Sequence, residues 1–232
     1  MAAPIAAPIK SVATPLLPGF ELPPTLEAGE PPEARGLRRD GVRLLVSHYT
    51  DNRLTHAIFH DLPAYLAPGD LVVITTSGTL KASVPARRAD GARLRLHLST
   101  NLPTGLWLVE LREPIGPAGL PFSGARAGET LTLPAGAAVT LLRPHAGHGG
   151  PVRLWVAVLS LPQPPAEYLH RHGAPIRYSY ARRAWPISYY QTVYATEQGS
   201  AEMPSAGRAF TPRLITRLVA MVVTIAPLLL HT

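Results

Sequence analysis

No cysteine occurs among the 232 residues. That excludes a disulfide framework, a thiolate nucleophile and a cysteine zinc site, and it fits a chain kept in a reducing cytoplasm. Lysine is nearly missing too: Lys10 and Lys81 are the two lysines among 22 basic residues, so the other 20 are arginine. Acidic residues number 15, and the resulting formal charge of +7, carried on planar guanidinium forks, favours an anionic partner such as nucleic acid. The competing explanation is compositional bias, which enriches Arg, Ala, Gly and Pro together. A membrane-spanning run is lacking as well. Residues 218–230 form a run of 13 uncharged residues broken by Pro227, whereas a bilayer needs roughly 20. What is present is a 46% apolar chain, enough for one large domain or two small ones with real cores.

Residues 1–19 open with a tandem Ala-Ala-Pro-Ile, carry Lys10 as their only charge, and read as a disordered leader. Prolines at 4 and 8 break the apolar core that a secretory signal needs. Residues 42–49 and 54–59 have strand composition around the turn signal Thr50-Asp51-Asn52-Arg53, which predicts a hairpin. A short helix, a Pro68-Gly69 turn and a buried strand through Leu71, Val72 and Val73 follow. Between residues 79 and 159 helix signals vanish. Short apolar segments at 79–84, 92–98, 106–111, 129–133, 137–142 and 152–159 are punctuated by turns, and eight of the 19 glycines fall between Pro114 and Gly150. Hairpin loops explain that spacing better than βαβ units, so a small antiparallel β-barrel is expected. Within it Arg93, Arg95 and His97 alternate onto one face, read as a solvated sheet face over an RNA-facing stripe. His145 and His148 have no third ligand nearby and are read as surface residues, so no metal is expected.

After a proline linker at 162–165, residues 166–173 read as a short helix ending at Gly173, with a basic last turn. Next, Arg177, Arg182 and Arg183 are interleaved with Tyr178, Tyr180 and Trp185. Guanidinium groups for phosphate and aromatic faces for unstacked bases suit a single-stranded RNA loop, which makes Arg177, Tyr178, Arg182 and Arg183 candidate nucleic-acid contacts. Packed aromatics with a solvated arginine edge are the alternative.

Residues 189–212 read as a site. Gln191, Thr192, Val193 and Tyr194 favour extended backbone, and alternation sends Tyr190, Thr192 and Tyr194 to one face. The run breaks at Gly199 and Ser200 and again at Pro204-Ser205-Ala206-Gly207, small residues whose backbone N–H groups stand open to a ligand. Thr211 and Pro212 are an N-cap and a favourable first helical residue. The helix is expected to run to about Val222, with Leu214, Ile215, Leu218 and Val219 inward, before a core strand over 223–230. Strand, small-residue loop and helix N-terminus in succession build a pocket for a polar or anionic group. A buried Tyr-rich strand with an ordinary capped helix is the alternative.

The same stretch resembles the signature Tyr-Gln-Thr-Val-Tyr-Ala … Gly-Ser-Val-Ala-Ala-Pro-Thr-Ala-Gly-Leu-His-Phe-Thr of the S-adenosylmethionine:tRNA ribosyltransferase-isomerases. Its first six residues match without change, as do Gly199, Ser200, Pro204, Ala206, Gly207, Phe210 and Thr211, with Ser205 in place of Thr. Arg208 stands for Leu and Ala209 for His, which replaces an imidazole by a methyl group. Arg39, Asp40 and Arg43 fit the family's Arg-Asp-x-x-Arg-Leu-Leu opening, and Glu27-Ala28-Gly29 falls where it shows Ile-Ala-Gln. Residues 61–73 follow its Asp-Leu-Pro … Pro-Gly-Asp-Leu segment, but the Asn-Asp-Thr-Arg that comes next in the family is reduced to Thr76. Leu230 and His231 match the start of Leu-His-Val-Gly-x-Gly-Thr-Phe, and since family members continue beyond it, the sequence is expected to be a fragment or a truncated product.

Together these readings give a mixed α/β fold in which a larger domain, residues 20–78 and 160–232, is interrupted by an inserted antiparallel β-barrel at 79–159. The resemblance implies transfer of the ribosyl portion of S-adenosylmethionine to a 7-aminomethyl-7-deazaguanine base of the tRNA anticodon, in queuosine synthesis. S-adenosylmethionine is then a substrate, tRNA the partner and the cytoplasm the location, with no metal required. Such chemistry needs a proton acceptor for the carbon beside the sulfonium and a donor for the departing adenine. Tyr190, Tyr194 and His231 are the catalytic candidates. Gln191, Gly199, Ser200, Pro204, Ser205, Ala206, Gly207 and Phe210 are candidates for substrate contact. Ala209, the reduced Asn-Asp-Thr-Arg segment and the early end keep two alternatives open: a non-catalytic RNA-binding paralogue, and another S-adenosylmethionine-dependent transferase.

Overall fold

The computed structural model describes residues 19, 23–145 and 152–232. The expected leader up to residue 18, residues 20–22 of the opening motif, and His148 lie outside the described residues. In chain order the strands and helices are β1 (Arg43–Ser47), β2 (Leu54–Ile58), β3 (Leu71–Thr75), β4 (Ser77–Thr79), β5 (Ser83–Arg87), β6 (Arg93–Asn101), β7 (Trp107–Glu113), β8 (Leu120–Pro121), β9 (Thr130–Thr132), β10 (Ala138–Pro144), β11 (Leu154–Ser160), α1 (Pro165–His172), β12 (Glu197–Ser200), α2 (Pro212–Ala220) and β13 (Thr224–Leu228). The fold is mixed α/β with few helices. Among the described residues, no helix is long and apolar enough to cross a membrane.

Six strands close an antiparallel barrel in the order β11, β10, β9, β5, β6, β7 and back to β11. Period-two alternation builds it: Leu94, Leu96, Val109, Leu111, Val139 and Leu141 point inward and are almost fully buried. The Asp90-Gly91 corner between β5 and β6 needs a positive φ, which Gly91 supplies at +88°. One seam is thin. β5 meets β9 through the single pair Arg87 with Thr132, close to Pro85, which brings no N–H to any ladder. Helix α1 joins this core, with Tyr168 and Leu169 each 1% exposed and the Tyr168 hydroxyl donating to the Pro134 carbonyl at 2.9 Å.

The remaining strands pair around the barrel. β1 and β2 form the expected hairpin, while β13 runs parallel to β3 and β12 parallel to β4. Chain from before the barrel is thereby hydrogen-bonded to chain from after it. A second core lies under α2, where Phe210, Leu214, Leu218 and Val223 pack with Phe59, Leu62, Val72 and Tyr194. The Thr211 hydroxyl caps α2 by accepting from the Leu214 N–H at 3.1 Å, with Pro212 in the first turn.

Five local expectations are corrected. No strand forms over residues 191–194; a 3-10 turn, Ile187–Tyr190, leads into irregular chain. The reason is Gln191, whose side-chain amide accepts from the Thr79 N–H at 2.9 Å and donates to the Thr79 carbonyl at 2.8 Å, so a side chain replaces the backbone ladder. Gly199 and Ser200 belong to β12, not to a loop: Ser200 pairs with Thr79 of β4, and Gly199 is the bulged residue where the register shifts. Val219 is 56% exposed, and α2 ends at Ala220, before Val222 turns with φ 63°. β3 is only half covered, with Leu71 and Val73 outward, and the Arg93, Arg95 and His97 face is not simply solvated: Arg95 bonds Ser83 at 2.7 Å and His97 is 7% exposed.

Candidate functional site

A cleft of about 370 Å³ opens where the signature segment meets the residues before β1. The Pro186 turn swings Tyr189 and Tyr190 into its wall, and Tyr178, Tyr180 and Trp185 complete an aromatic lining closed by Met203 and Arg208. Tyr178 and Tyr180 stack nearly parallel, 5.5 Å between centroids, and the Arg183 guanidinium lies 4.2 Å over the Trp185 ring. Flat aromatic faces of this kind accept a nucleobase or an organic cation. Two carboxylates, Glu27 and the half-buried Glu30, line the same cleft. Sequence reasoning missed both, since nothing in their spacing ties them to a site 150 residues away.

Burial raises the phenol pKa of Tyr190, outweighing the opposing charge of Arg177. Burial likewise raises Tyr178 and Tyr180. These hydroxyls stay protonated at neutral pH. Behind the cleft, Glu33 receives the buried Arg208 at 2.9 and 3.1 Å and Arg39 at 3.2 Å. Burial works to raise the Glu33 carboxyl, but the hydrogen bonds and charge of Arg208, with help from Arg39, hold it below its ordinary value. Arg208 also donates to the Tyr189 carbonyl and Arg39 to the Gln191 carbonyl, so this ion cluster fixes the aromatic wall.

The other candidates divide. Tyr194 turns away from the cleft: its hydroxyl donates to the Gly207 carbonyl at 3.2 Å, its ring packs edge-on against Phe210, and Gly207 leaves no room for a Cβ beneath it. Gln191 is engaged by Thr79. Pro204, Ser205, Ala206 and Gly207 form a short 3-10 turn in which the Ser205 hydroxyl donates to the Met203 carbonyl at 3.4 Å. Ser200 and His231 come together around Ser77, whose hydroxyl lies 2.6 Å from Ser200 Oγ and 2.7 Å from His231 Nδ1. Gly199 admits the imidazole, since a Cβ there would overlap the ring. His231 does not line the aromatic cleft. Of the arginines, Arg177 donates inward to the Ala181 carbonyl at 3.0 Å, Arg182 packs on Gly29, and Arg183 covers Trp185. His145 is exposed, and among the described residues no group of three or more His, Cys, Asp or Glu is placed to hold a metal ion.

A family model described as queuosine biosynthesis protein matches residues 19–232. The chain is similar to the S-adenosylmethionine:tRNA ribosyltransferase-isomerase of Thermotoga maritima, 33% identical over 213 residues that make up 91% of this chain and 58% of that protein. It is 35% identical over 224 residues to the protein of the same description from Moorella thermoacetica, with the same coverage. A crystal structure of S-adenosylmethionine tRNA ribosyltransferase from Thermotoga maritima aligns with 92% of this chain and 57% of that one, at 28% identity and a TM-score of 0.34. The chain thus spans somewhat over half the length of the curated relatives it matches.

Proposed function

Because the chain belongs to the queuosine biosynthesis protein family, we propose that it acts in ribosyl transfer from S-adenosylmethionine to tRNA, the activity for which its curated relatives are named. The observation that carries the reading is the aromatic cleft, walled by the signature residue Tyr190 and containing carboxylates. In this reading a tRNA base, 7-aminomethyl-7-deazaguanine by the family's chemistry, stacks against the tyrosines. Glu30 and Glu27 face the sulfonium cation, and Glu30 takes the proton from the carbon beside it. Tyr190, protonated at neutral pH, donates toward the departing adenine. The Ser77, Ser200 and His231 chain orients the imidazole beside β12 and supports the loop end that carries Met203. A tRNA substrate would put the reaction in the cytoplasm. We further take residues 20–78 and 160–232 as one unit around the barrel of 79–159, a division supported by the parallel pairings of β3 with β13 and β4 with β12.

The test is adenine release from S-adenosylmethionine with tRNA bearing the precursor base. The expected result is tRNA-dependent release, lowered ~10²–10⁴-fold in Tyr190→Phe. A second reading, an RNA-binding protein without turnover, is favoured by one observation: Arg208, a departure from the family signature, is spent on Glu33 and the Tyr189 carbonyl and so serves the scaffold. tRNA binding without adenine release, or release only after Ala209→His, would support that reading over the first.

A further inference from the structure

The chain segments that carry Arg39 and Arg208 also build a second, smaller pocket. It measures about 140 Å³ and is lined by Arg38, Asp40, His60, Arg213, Leu214 and Arg217, so three guanidinium groups meet one carboxylate. That carboxylate is already met from within. Asp40, with 3% of its side chain exposed, accepts from Arg38 Nε at 3.1 Å and Nη2 at 2.8 Å and from the Thr211 hydroxyl at 3.3 Å. Asp61 does not line the pocket; it lies 3.3 Å from His60 Nε2. Arg217 Nη1 donates to the His60 carbonyl at 3.1 Å, and among the described residues neither Arg217 nor Arg213 forms a salt bridge. Two positive charges are left over.

Helix α2 bears a cost for this arrangement. Arg213 stands in its first turn, where the helix dipole favours an acid, and four residues before Arg217, so that two like charges share one face. No acidic residue offsets them in that turn. A breach of two local rules at one place is characteristic of a functional site.

We propose that this pocket binds a backbone phosphate of tRNA, apart from the base held in the aromatic cleft. The proposal rests on tRNA as the partner, which both functional readings share. No Tyr, Trp or Phe lines the pocket, so it offers a base no stacking face, whereas guanidinium forks match phosphate oxygens. Asp40 holds Arg38 in place. Arg39, between those two in sequence, bonds Glu33 and the Gln191 carbonyl, which ties the pocket to the wall that carries Tyr190 and lets a phosphate contact set the register of the strand.

Arg213→Ala suits the test, because an exposed side chain without a carboxylate partner leaves the core intact when it is removed. Arg87→Ala is the control, exposed on the barrel and equal in charge change. Affinity of the full 232-residue chain for a labelled tRNA transcript is measured over a salt series, with a urea midpoint for each variant. Arg213→Ala should weaken tRNA binding severalfold and lower the log–log salt slope by about 0.7–0.9, the share of one phosphate contact. Its urea midpoint should stay level or rise, and Arg87→Ala should keep its slope. Equal slopes for the unmodified chain and Arg213→Ala overturn the proposal while tRNA binding itself survives. The same slope change in both variants also overturns it, assigning the effect to net charge, and a fallen urea midpoint in Arg213→Ala makes that residue part of the scaffold instead. Failure of every chain to bind tRNA sinks the tRNA reading and this site together. Titration with inorganic phosphate separates a small-anion pocket: saturable binding that Arg213→Ala abolishes, with tRNA slopes unchanged, overturns the assignment to RNA.

Discussion

At His97 the barrel buries an imidazole, and its pKa falls from 6.5 to about 4, first through desolvation and then through the charges of Arg112 and Arg95. The unfolded chain accepts a proton near pH 6.5 that the folded chain refuses until about pH 4. Stability from this residue is therefore complete above 6.5 and is lost as pH falls toward 4. Between pH 7 and pH 5 the loss should be roughly 2 kcal/mol, read from urea midpoints at constant m. His97→Gln should remove most of that slope. A variant that loses stability over the same interval as the unmodified chain would show that another group is responsible. Glu33 acts in a lower window: its carboxyl is held below the ordinary 4.5, so its share disappears only as pH falls through that depressed range. A series stopped at pH 5 separates the two.

The docking of α1 onto the barrel turns on Gly173. Its φ of −91° is open to any residue, but a Cβ there would overlap the Lys81 carbonyl oxygen and come within 2.7 Å of the Leu169 carbonyl, both backbone atoms that cannot rotate away. Gly173→Ala should cost about 1–3 kcal/mol through forced separation of α1 from β5. Gly36→Ala makes the comparison: its φ is +73° in open space, so only backbone strain remains, about 1 kcal/mol. Equal falls in melting temperature for the two variants would refute the steric account of Gly173. The elements that were legible in the sequence share one property, that their signal is local. Five of the six expected barrel segments correspond to β6, β7, β9, β10 and β11 because alternation and turn glycines need no distant partner, and Thr211-Pro212 marked α2 for the same reason; the sixth, 79–84, overlaps only the end of β4 and the first two residues of β5. Gln191 was not legible. Its β-forming neighbours promised a strand, and the partner that cancelled it, the Thr79 backbone, is 112 residues away. Glu30 and Ser77 entered the site by the same kind of long-range packing, and Val219 lies at the edge of α2's buried face, outside the core that Leu214 and Leu218 enter.

For the molecule as a whole, the question is which of its positive charges remain available to a partner. Glu33 engages Arg39 and Arg208, and Glu110 engages Arg112 and Arg153. Arg88 is likewise tied to Glu129 at 2.5 Å. Arg177, Arg182 and Arg183 instead lie beside the aromatic cleft with carbonyl, glycine and indole neighbours, and among the described residues none of the three forms a salt bridge with a carboxylate. If that strip meets RNA, replacing all three by Ala should weaken tRNA binding and reduce the salt slope by about 2, since each single-strand phosphate contact contributes about 0.7. A loss of three charges anywhere lowers the long-range attraction of a +7 chain, so affinity alone does not distinguish contact from field. Arg87, Arg93 and Arg143 supply the control: all three are exposed on the barrel, and replacing them changes the net charge equally. The strip variant should lose both affinity and slope, while the barrel variant keeps its slope nearly intact. Matching slopes in the two variants would mean that tRNA responds to total charge, and the arginine and tyrosine strip would then be a packed, solvated edge.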